Sequence, residues 1–179
     1  PRIVTRLDKG TSGLALVALT PEVQARIQHD AVAGRIRKEY LAIVRGTLSP
    51  ARGTIVLPLA RSADDRRRVV VADTGQPSET RYEVVASYET GHHSLVRCEL
   101  VTGRTHQIRV HLASRGWPIL GDPVYGVPHE GLTRQALHAW RITLPHPVSR
   151  VPMTIEAPLP PDLRVLISER GDRHTNTQQ

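Results

Sequence analysis

A chain of 179 residues with 39% hydrophobic content can bury the core of one domain, which excludes a disordered chain. Phe is absent and aromatics make up 3% of the residues, so the core must come from Val, Leu, Ile and Ala. The net charge of +7, carried far more by Arg than by Lys, points to a polyanionic partner, although charge by itself is a weak signal.

Cys98 is the single cysteine, which excludes a disulfide framework and a cysteine-ligated zinc site. No apolar run reaches membrane-spanning length and no charged-then-apolar leader opens the sequence. The expectation is therefore a cytoplasmic protein without a membrane partner.

Arg6 and Asp8 stand directly before a polar turn over residues 9–13, and the apolar run 14–18 reads as a buried strand. A carboxylate where an apolar strand opens into a Gly/Thr/Ser turn sits at the end of an element, within reach of a substrate. A lone Asp before a glycine turn more often only caps that turn. Thr20 then reads as a helix N-cap, with Pro21 at the first helical position and Glu22 in the first turn. Val23, Ile27 and Ala31 form one apolar face, and the helix ends near Gly34.

Residues 37–44 alternate as a strand closed by Gly46, with Lys38, Tyr40, Ala42 and Val44 on one face and Glu39, Leu41 and Ile43 on the other. Residues 47–77 are rich in Pro, Gly, Ser and Arg, and within them residues 57–61 and 64–68 read as a surface arm, with Arg66, Arg67 and Arg68 beside Asp64 and Asp65. Strands are predicted over 69–72, 80–87 and 94–102, with Gly91, His92 and His93 turning between the last two. These adjacent histidines point opposite ways on an extended chain and lack a third metal ligand at suitable spacing.

Thr105 is expected to cap a short helix that Gly116 and Pro118 stop, with Ile108 and Leu112 as its apolar edge and Arg109 beside them. His106 and His111 fall on different faces of such a helix, so no joint metal site is expected. Arg104, His106 and Arg109 near its start suit a phosphate or a carboxylate. A tight turn follows over 121–126, then strands over 137–144 and 153–157 and a helix over 162–170. From Gly171 the chain is polar and expected to fray. Residues 10–13 are too short for a phosphate-binding loop.

Four segments carry a resemblance: Arg6-Leu7-Asp8-Lys9-Gly10-Thr11-Ser12-Gly13-Leu14, Lys38-Glu39-Tyr40-Leu41-Ala42-Ile43-Val44-Arg45-Gly46, residues 102–111, and Gly121-Asp122-Pro123-Val124-Tyr125-Gly126 followed by Leu137-His138-Ala139. In this order they resemble the RluA/RluD family of pseudouridine synthases, and the likeness runs from Ile3 to about Ile167. It implies an α+β fold, with one mixed, mainly antiparallel sheet and helices and loops around a central cleft. The catalytic domain would occupy residues 1–170, with a flexible tail over 171–179. The resemblance also implies that family members carry further catalytic domain, and often a small RNA-binding domain, ahead of the point matching Pro1.

The same resemblance assigns roles. Asp8 is the carboxylate the isomerisation requires, as nucleophile or base, and Arg109 is the cation paired with it. Tyr40 stacks on the uracil, and Ile108 and Leu14 close the site against water. Arg6 fills the gap left by a uridine flipped out of its stack, while Arg104 and His106 are further RNA contacts. Neither cofactor nor metal is implied, and a monomer is expected. Thr5 stands where the family most often has His, and Arg2 where RluD-like members often have Gly, so divergence is expected in substrate choice. The segment from Arg134 to Pro160 is more similar to RluD-like members, which favours large-subunit ribosomal RNA over transfer RNA. Two other readings stand beside this one. A non-catalytic RNA-binding module would have no need for Asp8, Tyr40 and Arg109 together. A hydrolase using Ser12 or His106 lacks the nucleophile elbow and a complete Ser/His/Asp set.

Overall fold

Long runs of branched and apolar residues between positions 37 and 145 supply the frame on which the shorter pieces are hung. The structure, a computed structural model, describes residues 1–90 and 92–168. In chain order the elements are β1 (Arg2–Ile3), β2 (Ser12–Gly13), β3 (Val17–Ala18), α1 (Pro21–Val32), β4 (Arg37–Arg45), β5 (Arg52–Val56), β6 (Leu59–Arg61), β7 (Val69–Val71), β8 (Glu79–Tyr88), β9 (His93–Leu100), α2 (Gln107–Ser114), β10 (Leu137–Pro145), β11 (Pro152–Glu156) and α3 (Pro161–Ser168). The result is the expected α+β architecture. The main sheet runs β11-β10-β4-β9-β8-β5, antiparallel throughout, and β2 joins β10 as its one parallel pair. Two-stranded ribbons β1-β3 and β6-β7 lie off it.

β4 is central, and Leu41, Ala42, Ile43 and Val44 are all buried in succession. That continuous burial is the mark of a strand covered on both faces. Its neighbour β9 adds Val96 and Cys98, both fully buried, and burial pushes the Cys98 thiol up to about 12. Ile108 and Leu112 from α2 and Leu163 from α3 complete this core, without a single Phe. None of the helices among the described residues is long and apolar enough to cross a membrane.

Several expectations need correction. Residues 14–18 are not a buried strand: only Val17–Ala18 is extended, and Val17 is 50% exposed. This segment pairs with just two residues of β1 and has no second strand beside it. On α1, Thr20 caps as predicted, its hydroxyl accepting from the Val23 amide at 3.3 Å. The inward face, however, is Ile27 and Asp30, while Ala31 is exposed. Asp30 tolerates burial because Arg150 donates to both its oxygens, at 2.7 and 2.8 Å, and Arg35 donates at 3.0 Å. Those hydrogen bonds from Arg150, opposed by desolvation and joined by Arg35, hold the Asp30 carboxyl well below the usual carboxylate range.

An edge strand precedes the segments read as a surface arm, and those segments are not free either. β5 is the edge strand of the main sheet, paired with β8, and Ile55 is fully buried. Pro58 cannot donate to a ladder, and after it the chain leaves the sheet for the β6-β7 hairpin. That hairpin is seated on α2 through a small separate core of Leu59, Val69 and Val110. The expected frayed tail and the last residues of the final predicted helix lie outside the described residues, as does Gly91.

Candidate active site

The Asp8 loop is fixed by one distant segment, residues 134–139. Gln135 is buried and donates through Nε2 to the Lys9 carbonyl at 2.8 Å and to Thr11 Oγ1 at 3.0 Å. Arg134 Nη1 donates to the Gly10 carbonyl at 3.0 Å, and Ser12 Oγ lies 2.9 Å from His138 Nδ1. β2 pairs parallel to β10, matching Ser12 with His138 and Gly13 with Ala139. Gly13 has φ +110°, and a Cβ there would lie 2.1 Å from the Ala139 carbonyl oxygen. The backbones can approach this closely only without a side chain. The polar turn read from sequence is thus a clamp that sets where Asp8 points.

Asp8 points into a cavity of about 620 Å³. Arg109, in the first turn of α2, reaches it from the opposite side, its Nη1 donating to Asp8 Oδ2 at 3.3 Å. The rest of the guanidinium is committed to Asp122. Nε donates to Oδ2 at 2.7 Å, and Nη2 donates to Oδ1 at 2.9 Å. The Asp122 side chain is fully buried and also accepts the amides of Val124 and Tyr125. Desolvation raises the Asp122 carboxyl, but the Arg109 fork and the two amides more than offset it, leaving the group below its ordinary value. Desolvation likewise works against the Arg109 charge, and Asp122 and then Asp8 overcome it, so its pKa lies above the ordinary value.

Tyr40 stands on the wall formed by β4. Burial, with the nearby Asp8 charge adding, pushes its phenol up to about 12. Lys38, two residues earlier on the same strand face, also lines the cavity, and burial lowers its pKa. Ile108, Leu7, Leu100 and Leu137 supply apolar wall. Leu14 does not line the cavity; it follows the Gly13 clamp, with its amide bonded to the Ala139 carbonyl.

The entrance to α2 differs from expectation. Its N-cap is His106, in the left-handed region at φ 56°, with no side-chain cap; Thr105 lies one place too early. Gln107 instead ties down the loop before the helix, its Oε1 accepting the Arg104 amide at 3.0 Å. The left-handed turn puts the His106 ring against Tyr125, with Nδ1 and Oη 2.7 Å apart. The same phenol accepts the Val69 amide of the hairpin at 2.7 Å. Burial lowers the His106 pKa, Asp8 opposes this, and Arg109 and Arg61 add to it. His111 faces away into the core, between Thr80 Oγ1 and the Leu57 carbonyl.

The structure therefore brings Asp8, Tyr40, Arg109, Arg6, Arg104, His106 and Ile108 to one cavity, and leaves Leu14 outside it. Sequence reading missed the roles of Asp122, Gln135 and Lys38. Asp122 resembled a turn residue in its Gly-Asp-Pro setting, and only the fold shows Arg109 above it. Among the described residues, Arg6, Lys9, Lys38, Arg61 and Arg104 line the cavity with no carboxylate within 4.0 Å. Several cations without carboxylate partners around the Asp8–Arg109 pair form a surface suited to a polyanion.

Comparison with known proteins gives the family. The family model described as RNA pseudouridylate synthase matches residues 1–114. An uncharacterised RNA pseudouridine synthase of Chloroflexus aurantiacus is 43% identical over 175 residues, covering 97% of this chain and 54% of the relative. Ribosomal large subunit pseudouridine synthase D of Escherichia coli is 39% identical over 179 residues, covering 92% of this chain and 54% of the relative. The chain thus spans about half the length of the curated relatives it matches. The structure of human RNA pseudouridylate synthase domain containing 1 superimposes with a TM-score of 0.77 at 29% identity, covering 90% of this chain and 71% of that one. By its sequence, its sheet and the motifs gathered at its cavity, the chain belongs to the RluA/RluD type of RNA pseudouridine synthases.

Proposed function

We propose that the chain isomerises uridine to pseudouridine within RNA, with large-subunit ribosomal RNA as its substrate. The observation that carries this reading is the Asp8–Arg109–Asp122 chain at the base of a cation-lined cavity walled by Tyr40. The reaction breaks the bond between uracil N1 and the sugar C1′, turns the base, joins C5 to C1′, and moves the proton from C5 to solvent while N1 gains one. All other atoms stay in the site, so a cavity that holds the detached base beside one carboxylate meets its needs.

In this reading Asp8 is the nucleophile or base, and Arg109 orients it through the Nη1 hydrogen bond. Arg109 is itself oriented by Asp122. Tyr40 stacks on the base as a neutral phenol, because its raised pKa keeps the proton on through the neutral range. Ile108 with its apolar neighbours limits water entry. Arg6 at the rim takes the place of the flipped uridine, and Arg104 and His106 hold the RNA beside it. The ribosomal assignment is supported by the printed names of several relatives, among them the Escherichia coli one.

The test uses transcripts of large-subunit ribosomal RNA and of transfer RNA labelled with tritium at uridine C5. Wild-type protein is expected to release label from the ribosomal transcript, and Asp8→Ala to release none. Release from transfer RNA alone would move the substrate. RNA binding with no release would leave a binding module in place of the enzyme.

A further inference from the structure

A second cavity, of about 400 Å³, lies under the β6-β7 hairpin. It shares four lining residues with the first: Arg61, Gly103, Arg104 and Thr105. These four residues form the boundary, or neck, between the two spaces, and both charged groups on it are arginines. Arg61 Nη1 donates to the Arg66 carbonyl at 2.8 Å, and Arg104 Nε donates to the Pro77 carbonyl at 3.1 Å. These bonds fix each side chain but leave its remaining N–H groups unassigned. Among the described residues neither guanidinium has a carboxylate within 4.0 Å. Beyond the neck the lining changes character. Thr74, Gln76 and Thr105 offer neutral hydrogen-bonding groups, buried Leu59 and Val69 offer apolar wall, and no carboxylate is present.

The sequence of surfaces is thus a carboxylate-bearing chamber, two free guanidiniums, then a neutral chamber of mixed polar and apolar lining. One nucleotide step has the same order. A base and sugar at the first carbon centre are followed by an anionic phosphate, then by another neutral sugar and base. Guanidinium forks suit that phosphate, and neutral donors suit ribose hydroxyls and base edges. On the reading that the first cavity holds a uridine of RNA, we propose that the adjoining nucleotide is held in the second cavity, with the linking phosphate clamped by Arg61 and Arg104 at the neck. The hairpin is then a wall of the substrate site, seated on α2 by Leu59, Val69 and Val110.

The experiment uses a fluorescein-labelled RNA hexamer with a single uridine among adenosines, read by fluorescence anisotropy at fixed salt. The phosphate on one side of the uridine, then on the other, is replaced by an uncharged methylphosphonate. Wild-type protein is expected to lose roughly tenfold in affinity for one of these two replacements, the scale of losing charged hydrogen bonds. The Arg61→Met/Arg104→Met double variant binds the all-phosphate hexamer more weakly and shows no further loss on that same replacement. The Arg61→Lys/Arg104→Lys variant regains the sensitivity, which separates loss of charge from loss of fold. Equal losses in wild type and the Met variant overturn the clamp, as does failure of wild type to bind the hexamer. Tritium release is scored separately. Release without the coupling keeps the isomerase and removes the subsite, whereas coupling without release keeps the subsite and removes the isomerase.

Discussion

Arg109 shows how one side chain can be set by two carboxylates with different tasks. Asp122 takes Nε and Nη2 in a buried, two-pronged pair, and only Nη1 is left for Asp8. Removing the buried partner leaves a desolvated cation, so Asp122→Ala is expected to cost roughly 3–5 kcal/mol in urea unfolding. Asp8→Ala leaves the Asp122 pair intact at a carboxylate 24% exposed, and should cost under about 1 kcal/mol while abolishing turnover. Similar stability losses for the two variants would mean that Asp8 holds the guanidinium as firmly as Asp122 does. Tyr40 divides its role in another way. The phenol, pushed up to about 12, is uncharged at neutral pH, so the ring and the hydroxyl can be removed separately. We expect the Tyr40 hydroxyl to move a proton in the later step, so Tyr40→Phe, which keeps the stacking face, should leave KM within about threefold while kcat falls at least about tenfold. Tyr40→Ala should also weaken RNA binding by about 1–3 kcal/mol. An unaltered kcat in the Phe variant would reduce Tyr40 to a stacking surface.

At the next scale, one of the shortest strands matters most for the site. β2 has only two residues, yet its parallel register with β10 places the Asp8 loop over α2. A methyl group at Gly13 would meet the Ala139 carbonyl oxygen at 2.1 Å on a backbone already at positive φ. Gly13→Ala should therefore destabilise the fold by at least about 2 kcal/mol and abolish tritium release even where the circular dichroism of the main sheet is kept. Thr20→Ala, which removes only the α1 cap, should cost about 1 kcal/mol and leave kcat unchanged. The long strands β4, β8, β9 and β10 were legible because each carries enough alternating or continuous apolar residues to declare its period. β2 and β3 were not, since two residues have no period and their partners are fixed by residues 134–139 and by β1. The same reason hid Asp30 on α1: an apolar stripe does not announce a buried carboxylate answered by Arg150 from the far end of the chain. Asp8, Tyr40 and Arg109 were readable as motifs. Their meeting depends on the strand order, which puts β4 between β10 and β9 and starts α2 soon after β9. Leu14 was misplaced because its role was carried over from a linear motif, without the Gly13 clamp that turns it away.

Across the whole molecule the net charge of +7 is unevenly used. On the main sheet, Arg37, Arg97 and Arg141 surround buried Glu39 at 3.6–3.9 Å, and Arg81 pairs with Glu79, so these cations are spent within the fold. Arg6, Lys9, Lys38, Arg61 and Arg104 at the cavity have no such carboxylate partners among the described residues, so RNA affinity should fall with salt chiefly through them. Arg104→Gln is expected to reduce the slope of log affinity against log salt by about 0.7, and Arg81→Gln to leave it unchanged. Equal effects would mean that diffuse charge, not the cavity, governs binding. The fold's response to pH rests on a different pair of groups. Burial lowers the pKa of His106 and, in the core, of His111, which sits between Thr80 Oγ1 and the Leu57 carbonyl. A histidine lowered in the folded state binds its proton more readily once unfolded. Stability is then full above the unfolded value of about 6.5 and declines as pH falls below it, by up to about 1.4 kcal/mol per pH unit for each such group. The urea midpoint should accordingly fall between about pH 6.5 and 5, before most carboxylates begin to titrate. His111→Gln retains one donor and one acceptor for the two partners but cannot take up the proton. It should lower stability at neutral pH and flatten the decline below it. A decline of undiminished steepness in that variant would assign the pH response to groups other than the core histidine.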